Sequence, residues 1–452
     1  MTTSRWSRAL ALLFSVSLLA SACGDSDDST SAGGDSGSAS APAEEGTDDT
    51  ATDTTAAEGD EAMAEGDQTG ITDTEILIGT SNALSGPASA YGVITGSLEA
   101  CAAWVNAEGG VTMADGTARD ITLVAYDDAY DPAKTVENTR RLVEEDQVFA
   151  LWAMLGTPTN TAIYDYTNDS EVPNLFVATG ASKWGVGVLE DHPWTIGWQP
   201  SYSTEAAIYA AWLEENHPDS TVAILMQNDD YGKDYVNAFK AAIEGTSISV
   251  AAEATYETTD PTVDQQVTDL AASGADVFFN VTTPKFAAQA IQKVGEVSWD
   301  PIHILNSVSA SIGGVLTPAG LQNSTGIIST QYYKDPTDPQ WDKDEGMVSY
   351  NELVGQYAPD LNTDDPFVLF GWAQCLSMKH VLENSQPTRE SVMETVKNLD
   401  GVENNLLLPG LTMTTGAEDG FPIESMQIVE FDGTGFAEVG ETVSYEGATP
   451  TE

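Results

Sequence analysis

Seven short segments of this 452-residue chain collect side chains of the kind that grip a small molecule. They lie at 81–87, 126–128, 155–159, 179–182, 227–232, 282–284 and 306–309, and are rich in hydroxyls, carboxamides, glycine and aromatic rings. Hydroxyls and free backbone N–H groups at helix starts suit a carboxylate or another polar group. Taken singly, each segment is accounted for by helix capping, since Ser, Thr, Asn and Asp cap helices in every α/β protein. Taken together they predict a binding site. The acidic pairs Asp127-Asp128 and Asp229-Asp230 have the composition for acid–base work, but such pairs more often cap helices or orient loop backbone. No Gly-x-Ser-x-Gly elbow, His-Glu-x-x-His helix or phosphate loop is present. His192, His217, His303 and His380 have no metal-ligand spacing. The expectation is therefore binding without catalysis, metal or cofactor.

The elements that must position these segments follow from the apolar pattern. Short apolar runs at 76–78, 121–126, 149–154 and 175–178 read as strands, interleaved with helical patterns at 92–106, 132–145 and from 159. The pattern restarts after about Thr195. Helices at 203–216, 233–244, 261–272 and 285–297 alternate with strands at 221–226, 248–254, 277–281, 302–305 and 326–330. Alternation of this kind predicts parallel sheets with right-handed crossovers. The strands are continuous apolar runs, as expected when helices cover both faces. Residues 341–399 read as mostly helical and 407–436 as a few antiparallel strands. The fold class is α/β, with two doubly wound lobes. The seven segments are the loops after strands, where open α/β sheets bind ligands.

The N-terminus predicts export. Arg5 and Arg8 precede a nearly unbroken apolar run at 9–22, the length of a signal-peptide core and too short to span a membrane, which takes about 20 apolar residues. The run ends in Leu19-Ala20-Ser21-Ala22-Cys23, which resembles a bacterial lipobox and implies a signal peptide over 1–22 and lipidation of Cys23. Ala20 stands where that pattern prefers Leu, and ordinary secretory cleavage near Ala22 is the alternative. Residues 24–70 hold 14 acidic residues, no Lys or Arg, and no aromatic residue. Such a stretch cannot bury enough apolar surface to offset its ordering entropy. It is expected to be a disordered tether following the lipidated cysteine (23–70), with a reach of roughly 40 Å. The remainder, 71–452, carries 14 basic and 57 acidic residues, a net charge of −43. That balance argues against nucleic acid, whose phosphates need clustered Lys and Arg, and against lying on an anionic membrane. With Cys23 lipidated, Cys101 and Cys375 remain. Two buried thiols on separate helices are expected, with a disulfide as the alternative in an oxidising compartment.

Several short motifs, in order, resemble one family. Ser85-Gly86-Pro87, Tyr91-Gly92, Asn106-Ala107-Glu108-Gly109-Gly110, Tyr126-Asp127-Asp128 with Asp131-Pro132, Val172-Pro173, Gly180-Ala181-Ser182, Asn228 to Gly232 and Ala275-Asp276-Val277 are similar to the branched-chain amino acid type of ABC-transporter substrate-binding protein. The likeness runs from about Ile76 to Phe436. It implies a type I periplasmic-binding-protein fold: two lobes joined by a three-strand hinge, the ligand in the cleft, and a membrane permease as partner. On this basis lobe 1 is expected over 71–195 and 335–405, lobe 2 over 196–334 with a tail at 406–440, and a C-terminal tail at 441–452. The resemblance implies a monomer that delivers its ligand to an importer. A sensory module docking on a membrane receptor shares the same fold and site and stays open.

The resemblance also implies roles for single residues. Ser85 and Tyr91 come from the first loop, Tyr91 matching an aromatic that covers the ligand. Gly156 falls where the family usually has Ser, leaving backbone there and Thr157 as the nearby hydroxyl. Ser182, with the Gly180-Ala181 backbone, matches a carboxylate-binding element. Tyr231 matches a lobe 2 tyrosine, and Thr282 falls where an aromatic is common. Ser307 lies where amino-acid binders place the acid that holds the α-ammonium, and Asn306-Ser307-Val308-Ser309 contains none. A buried ammonium without an opposite charge is costly. Either Asp229 or Asp230 takes that role, or the ligand has no α-ammonium. The second reading is preferred, and points to a small organic acid, amide or modified amino acid.

Overall fold

The computed structural model of the protein describes residues 65–451. Six strands form the first sheet: β1 Glu75–Asn82, β2 Val111–Thr112, β3 Ala118–Asp127, β4 Ala150–Trp152, β5 Asn174–Val177 and β6 Thr195–Gly197. Their order is β2-β3-β1-β4-β5-β6, all parallel except β2 on β3. The second sheet begins with β7 Thr221–Gln227, β8 Ser249–Tyr256, β9 Val277–Val281, β10 Ile302–Leu305 and β11 Ile328–Gln331, in the parallel order β8-β7-β9-β10-β11. A two-stranded ribbon, β12 Val402–Glu403 and β13 Thr412–Met413, follows. The chain then returns to the second sheet as β14 Ser425–Phe431, β15 Phe436–Glu438 and β16 Val443–Ser444, with β14 antiparallel on β11.

The two sheets share one winding. In each, the second long strand lies outside the first and the third lies on its other side, so strand order reverses at β1/β4 and at β7/β9. Loops leaving a reversal point diverge and open a crevice at the carboxyl ends of the strands. The strands are buried on both faces: every residue of β4, β5, β6 and β9 is buried. The covering helices show the complementary pattern. Helix Pro284–Glu296 starts with proline, tolerated in a first turn, and buries Phe286, Ala287, Ala290, Ile291 and Val294 as one stripe.

The chain passes between lobes three times: between β6 and helix Tyr202–Asn216, between β11 and helix Glu345–Tyr357, and between β13 and β14. The second and third passages run side by side. The Lys334 N–H donates to the Leu406 carbonyl at 2.9 Å, and the Leu408 N–H to the Tyr332 carbonyl at 3.0 Å. The return to the second sheet comes at Ser425. This is later than the expected boundary at 406: the Asn404 carboxamide donates to the Ala373 carbonyl and the Ser377 hydroxyl of helix Pro366–Glu383 at 2.8 and 3.1 Å, which holds the start of this stretch against that helix.

Helix Pro366–Glu383 lies against helix Val93–Ala107 in lobe 1. Gly371 makes the close approach possible, since a Cβ there would meet the Ile94 carbonyl at 2.8 Å. The Ser97 hydroxyl donates to the Val368 carbonyl at 2.6 Å, and Trp104 stacks on Trp372 at 5.8 Å. Between these contacts Cys101 and Cys375 form a disulfide, their Cα atoms 6.3 Å apart. The expectation of two separate thiols is thereby corrected. The cysteines do sit on separate helices, but those helices pack face to face, within the distance a disulfide spans.

The expectation of disorder through Gly70 is corrected over its last six residues. Residues 65–70 lie within the described structure, and Arg389 fixes them: its Nη1 pairs with Asp67 Oδ2 at 2.7 Å, while Nε and Nη2 donate to the Phe149 and Val148 carbonyls at 2.9 and 2.7 Å. The Asp67 N–H donates in turn to Glu390. A buried arginine satisfied on three sides supplies the ordering energy that the tether composition lacks. Residues 1–64, on which the expected signal peptide and the lipidation of Cys23 fall, lie outside the described residues. Among the described residues no helix is long and apolar enough to cross a membrane.

Candidate functional site

One cavity lies where the carboxyl-end loops of the two sheets face each other. It encloses about 560 Å³ of atom-free space, its mouth included. Lobe 1 contributes Tyr91, Ile94, Tyr130, Leu155, Gly156, Ala178, Phe367 and Phe370; lobe 2 contributes Tyr202, Tyr231, Thr283, Ser307 and Val308. Gln199, Tyr332 and Tyr333 come from the first and second passages between the lobes. Half of these side chains are aromatic, and none is charged.

The loop after β1 ends in a short helical turn, Ser89–Gly92, which buries Tyr91. Its hydroxyl crosses the cleft and donates to the Val308 carbonyl at 2.8 Å, and its ring meets Phe367 edge-on at 4.9 Å. Ala129 and Tyr130 both adopt positive φ, and the Tyr130 N–H donates to buried Asp128 at 2.8 Å. That left-handed pair swings the Tyr130 ring over Gly156. Gly156 has φ +95°, and a Cβ there would meet the Tyr130 ring at 2.5 Å. A side chain at 156 would collide with Tyr130 and strain the positive-φ backbone, which accounts for the absence of a serine there.

On lobe 2, Asp229 caps helix Asp230–Ala242 by accepting the Tyr231 and Gly232 N–H groups, and so places Tyr231 in the wall. The Tyr231 hydroxyl bonds the Asn306 carboxamide at 2.7 Å. Ser307 is held from behind. Its N–H and hydroxyl each donate to the Glu205 carboxylate at 2.7 Å, and that carboxylate also accepts the Tyr209 and Tyr235 hydroxyls at 2.7 Å. Burial pushes the Glu205 carboxyl above its ordinary range, with these four donors opposing.

The expected site residues separate into two groups. Tyr91, Gly156, Tyr231 and Ser307 line the cavity. Ser85 does not: it is exposed, and its N–H and hydroxyl go to Asp127 at 3.1 and 2.5 Å. Thr157 is buried with its hydroxyl bonded to that of Thr179 at 2.5 Å. Thr282 turns inward to Asn280 at 2.7 Å, and its neighbour Thr283 lines the cavity instead. The Gly180 carbonyl accepts the Tyr202 N–H at 2.7 Å, and Ala181 is buried off the cavity. Ser182 is corrected most sharply. Its N–H and hydroxyl, expected on a ligand carboxylate, both go to Asp234 of lobe 2, at 3.0 and 2.6 Å. Neither Asp229 nor Asp230 lines the cavity. Asp229 is a cap, and Asp230 pairs with Lys183 at 2.9 Å, which holds its carboxyl below the usual range.

Sequence reasoning missed Tyr130, Gln199, Tyr202, Tyr332, Tyr333, Phe367 and Phe370. Gln199 follows β6, and Tyr332-Tyr333 follow β11, so the strand-end rule that found the other loops applies to them as well. The two phenylalanines lie inside a helix and carried no such signal.

Comparison with known proteins agrees with this geometry. Residues 75–436 match the family model described as periplasmic binding protein. A curated relative, the Leu/Ile/Val-binding protein homolog 3 of Brucella melitensis, is 26% identical over 207 residues; the match covers 45% of this chain and about half (54%) of the relative's length. The fold is similar to an ABC transporter substrate-binding protein of Aeropyrum pernix (15% identity, TM-score 0.73, covering 82% of this chain and 96% of that one). It is also similar to a branched-chain amino acid ABC transporter protein of Thermus thermophilus with bound valine (14%, 0.72, 82% and 97%). A third is a fatty acid ABC transporter substrate-binding protein of Thermomonospora curvata (18%, 0.69, 85% and 97%). With the match spanning both sheets and the cavity between them, the chain belongs to the periplasmic binding protein family of solute-binding proteins and has its type I fold.

Proposed function

We propose that this chain is exported, held to the outer face of the cytoplasmic membrane by lipid on Cys23, and captures a small molecule between its lobes for delivery to an ABC permease. The observation that carries this reading is the cavity built from the strand-end loops of both lobes, because a ligand touching both lobes stabilises their closed arrangement and gives a permease a shape to recognise. The apolar run at 9–22, the small residues before Cys23 and the acidic stretch after it support export and anchoring.

Two measurements test the proposal. Membrane fractionation of the expressed chain should place it with the membrane, and Cys23→Ser should release it; a wild-type chain found free of membrane removes the anchor. A thermal-shift screen against amino acids, amides and organic acids should raise the melting temperature with at least one compound, as mass action requires. Uptake of that compound should fail when the chain is deleted and return when it is restored. Unchanged uptake would remove the transport role.

A further inference from the structure

The lining of the cavity narrows the ligand class, on the premise that the cavity is the capture site. Among the described residues no Lys, Arg, His, Asp or Glu side chain lines it. Carboxylates behind its wall are already committed. Glu205 lies behind Ser307 and receives four donors. Asp335, beyond Tyr333, receives the Thr337 N–H and hydroxyl, each at 2.8 Å. The Ser182 N–H and hydroxyl, off the cavity, are occupied by Asp234. A ligand carboxylate or ammonium would therefore lose its water without gaining an opposite charge, the costliest form of burial.

The groups that remain unused are neutral. Gln199 and Tyr332, 8% and 4% exposed, line the cavity together with Tyr333. None of their side-chain polar atoms has a hydrogen-bond partner among the described residues. A carboxamide and two phenols offer donors and acceptors to a carbonyl, hydroxyl or carboxamide. The surrounding rings offer flat apolar surface.

We infer that the cleft selects an uncharged ligand: an aromatic or branched apolar body carrying one or two neutral hydrogen-bonding groups. Asp234 then serves closure, and the ligand contributes apolar contact and neutral hydrogen bonds. An aromatic cage also suits a quaternary ammonium through cation–π attraction. The unused carboxamide and phenols favour the uncharged class, and the test separates the two.

The experiment is calorimetry and thermal shift on the chain from Gly24 onward, which retains every residue of the hydrophobic cores. Matched probes isolate charge: phenylacetamide against phenylacetate and phenylalanine, 4-methylpentanamide against 4-methylpentanoate and leucine, and 3,3-dimethylbutan-1-ol against its cationic isostere choline. The uncharged member of at least one set should bind about 100-fold or more tightly than its charged partners, the ratio that an unpaired buried charge implies. Gln199→Lys, checked for folding by its melting temperature, should shift the amide-to-carboxylate ratio at least about tenfold toward the carboxylate. If that variant does not fold, Tyr332→Phe replaces it and should weaken the amides while leaving the weak carboxylate binding unchanged. Tighter binding of leucine, phenylacetate or choline than of their neutral partners overturns the inference and leaves solute capture standing. Silence across all three sets also overturns it. Native mass spectrometry of the chain isolated from its own cells then reads capture separately, through whatever mass it retains.

Discussion

Ser182, at the carboxyl end of β5 in lobe 1, gives both its N–H (3.0 Å) and its hydroxyl (2.6 Å) to Asp234 of lobe 2. Two donors on one carboxylate form a directional contact that exists only when the lobes meet. One helical turn away, Lys183 reaches Asp230 at 2.9 Å and Thr161 at 2.6 Å. That ion pair is largely exposed and worth little, so Asp234 is the stronger latch.

Asp234→Ala is expected to weaken every ligand by about 10- to 100-fold, from the loss of charge-assisted hydrogen bonds worth about 1.5–3 kcal/mol. The change should fall mainly in the dissociation rate, read by stopped-flow tryptophan fluorescence. An affinity unchanged from wild type would remove Asp234 from closure.

The Cys101–Cys375 disulfide joins helices 274 residues apart in sequence. Replacing both cysteines with alanine should cost about 2–5 kcal/mol, measured by denaturant unfolding. Mass spectrometry of the untreated protein should show two hydrogens fewer than the reduced chain. Detection of two free thiols in native protein would sink this pairing.

Arg389 is buried under three acceptors, two of them backbone carbonyls of the first lobe. Arg389→Ala strands those carbonyls and leaves Asp67 without its partner. A loss of about 2–4 kcal/mol is expected, with faster hydrogen exchange over residues 65–70. Unchanged exchange there would show that residues 65–70 are held by other contacts.

Glu424 closes the third passage between lobes and holds the C-terminal segment through the Gly447 N–H at 2.7 Å and the Thr449 hydroxyl at 2.5 Å. Burial raises its carboxyl from 4.5 to about 7. Between those values the folded chain keeps a proton that the unfolded chain has lost, so stability falls as pH rises through that window. Glu424→Gln should flatten this part of the profile of melting temperature against pH. In wild type, limited proteolysis beyond Tyr445 should quicken from pH 5 to pH 8. A wild-type profile already flat across the window would contradict the raised carboxyl.

What the sequence determined by itself was local and periodic. Continuous apolar runs such as 277–281 marked strands covered on both faces, and Pro284 followed by a stripe from Phe286 to Val294 marked a helix and its buried side. Strand ends then located the loops that hold Gly156, Tyr231 and Ser307, and the family resemblance added Tyr91 and singled out these residues within their loops. Tertiary structure alone decided which of two adjacent residues turns toward the cavity, as with Thr283 and not Thr282, because a one-residue step reverses the face of an extended chain. It decided that Cys101 meets Cys375, since helix partners are chosen by packing and not by spacing. It also decided that Ser182 serves Asp234, because that partner comes from the other lobe and a periodic pattern carries no information across a hinge.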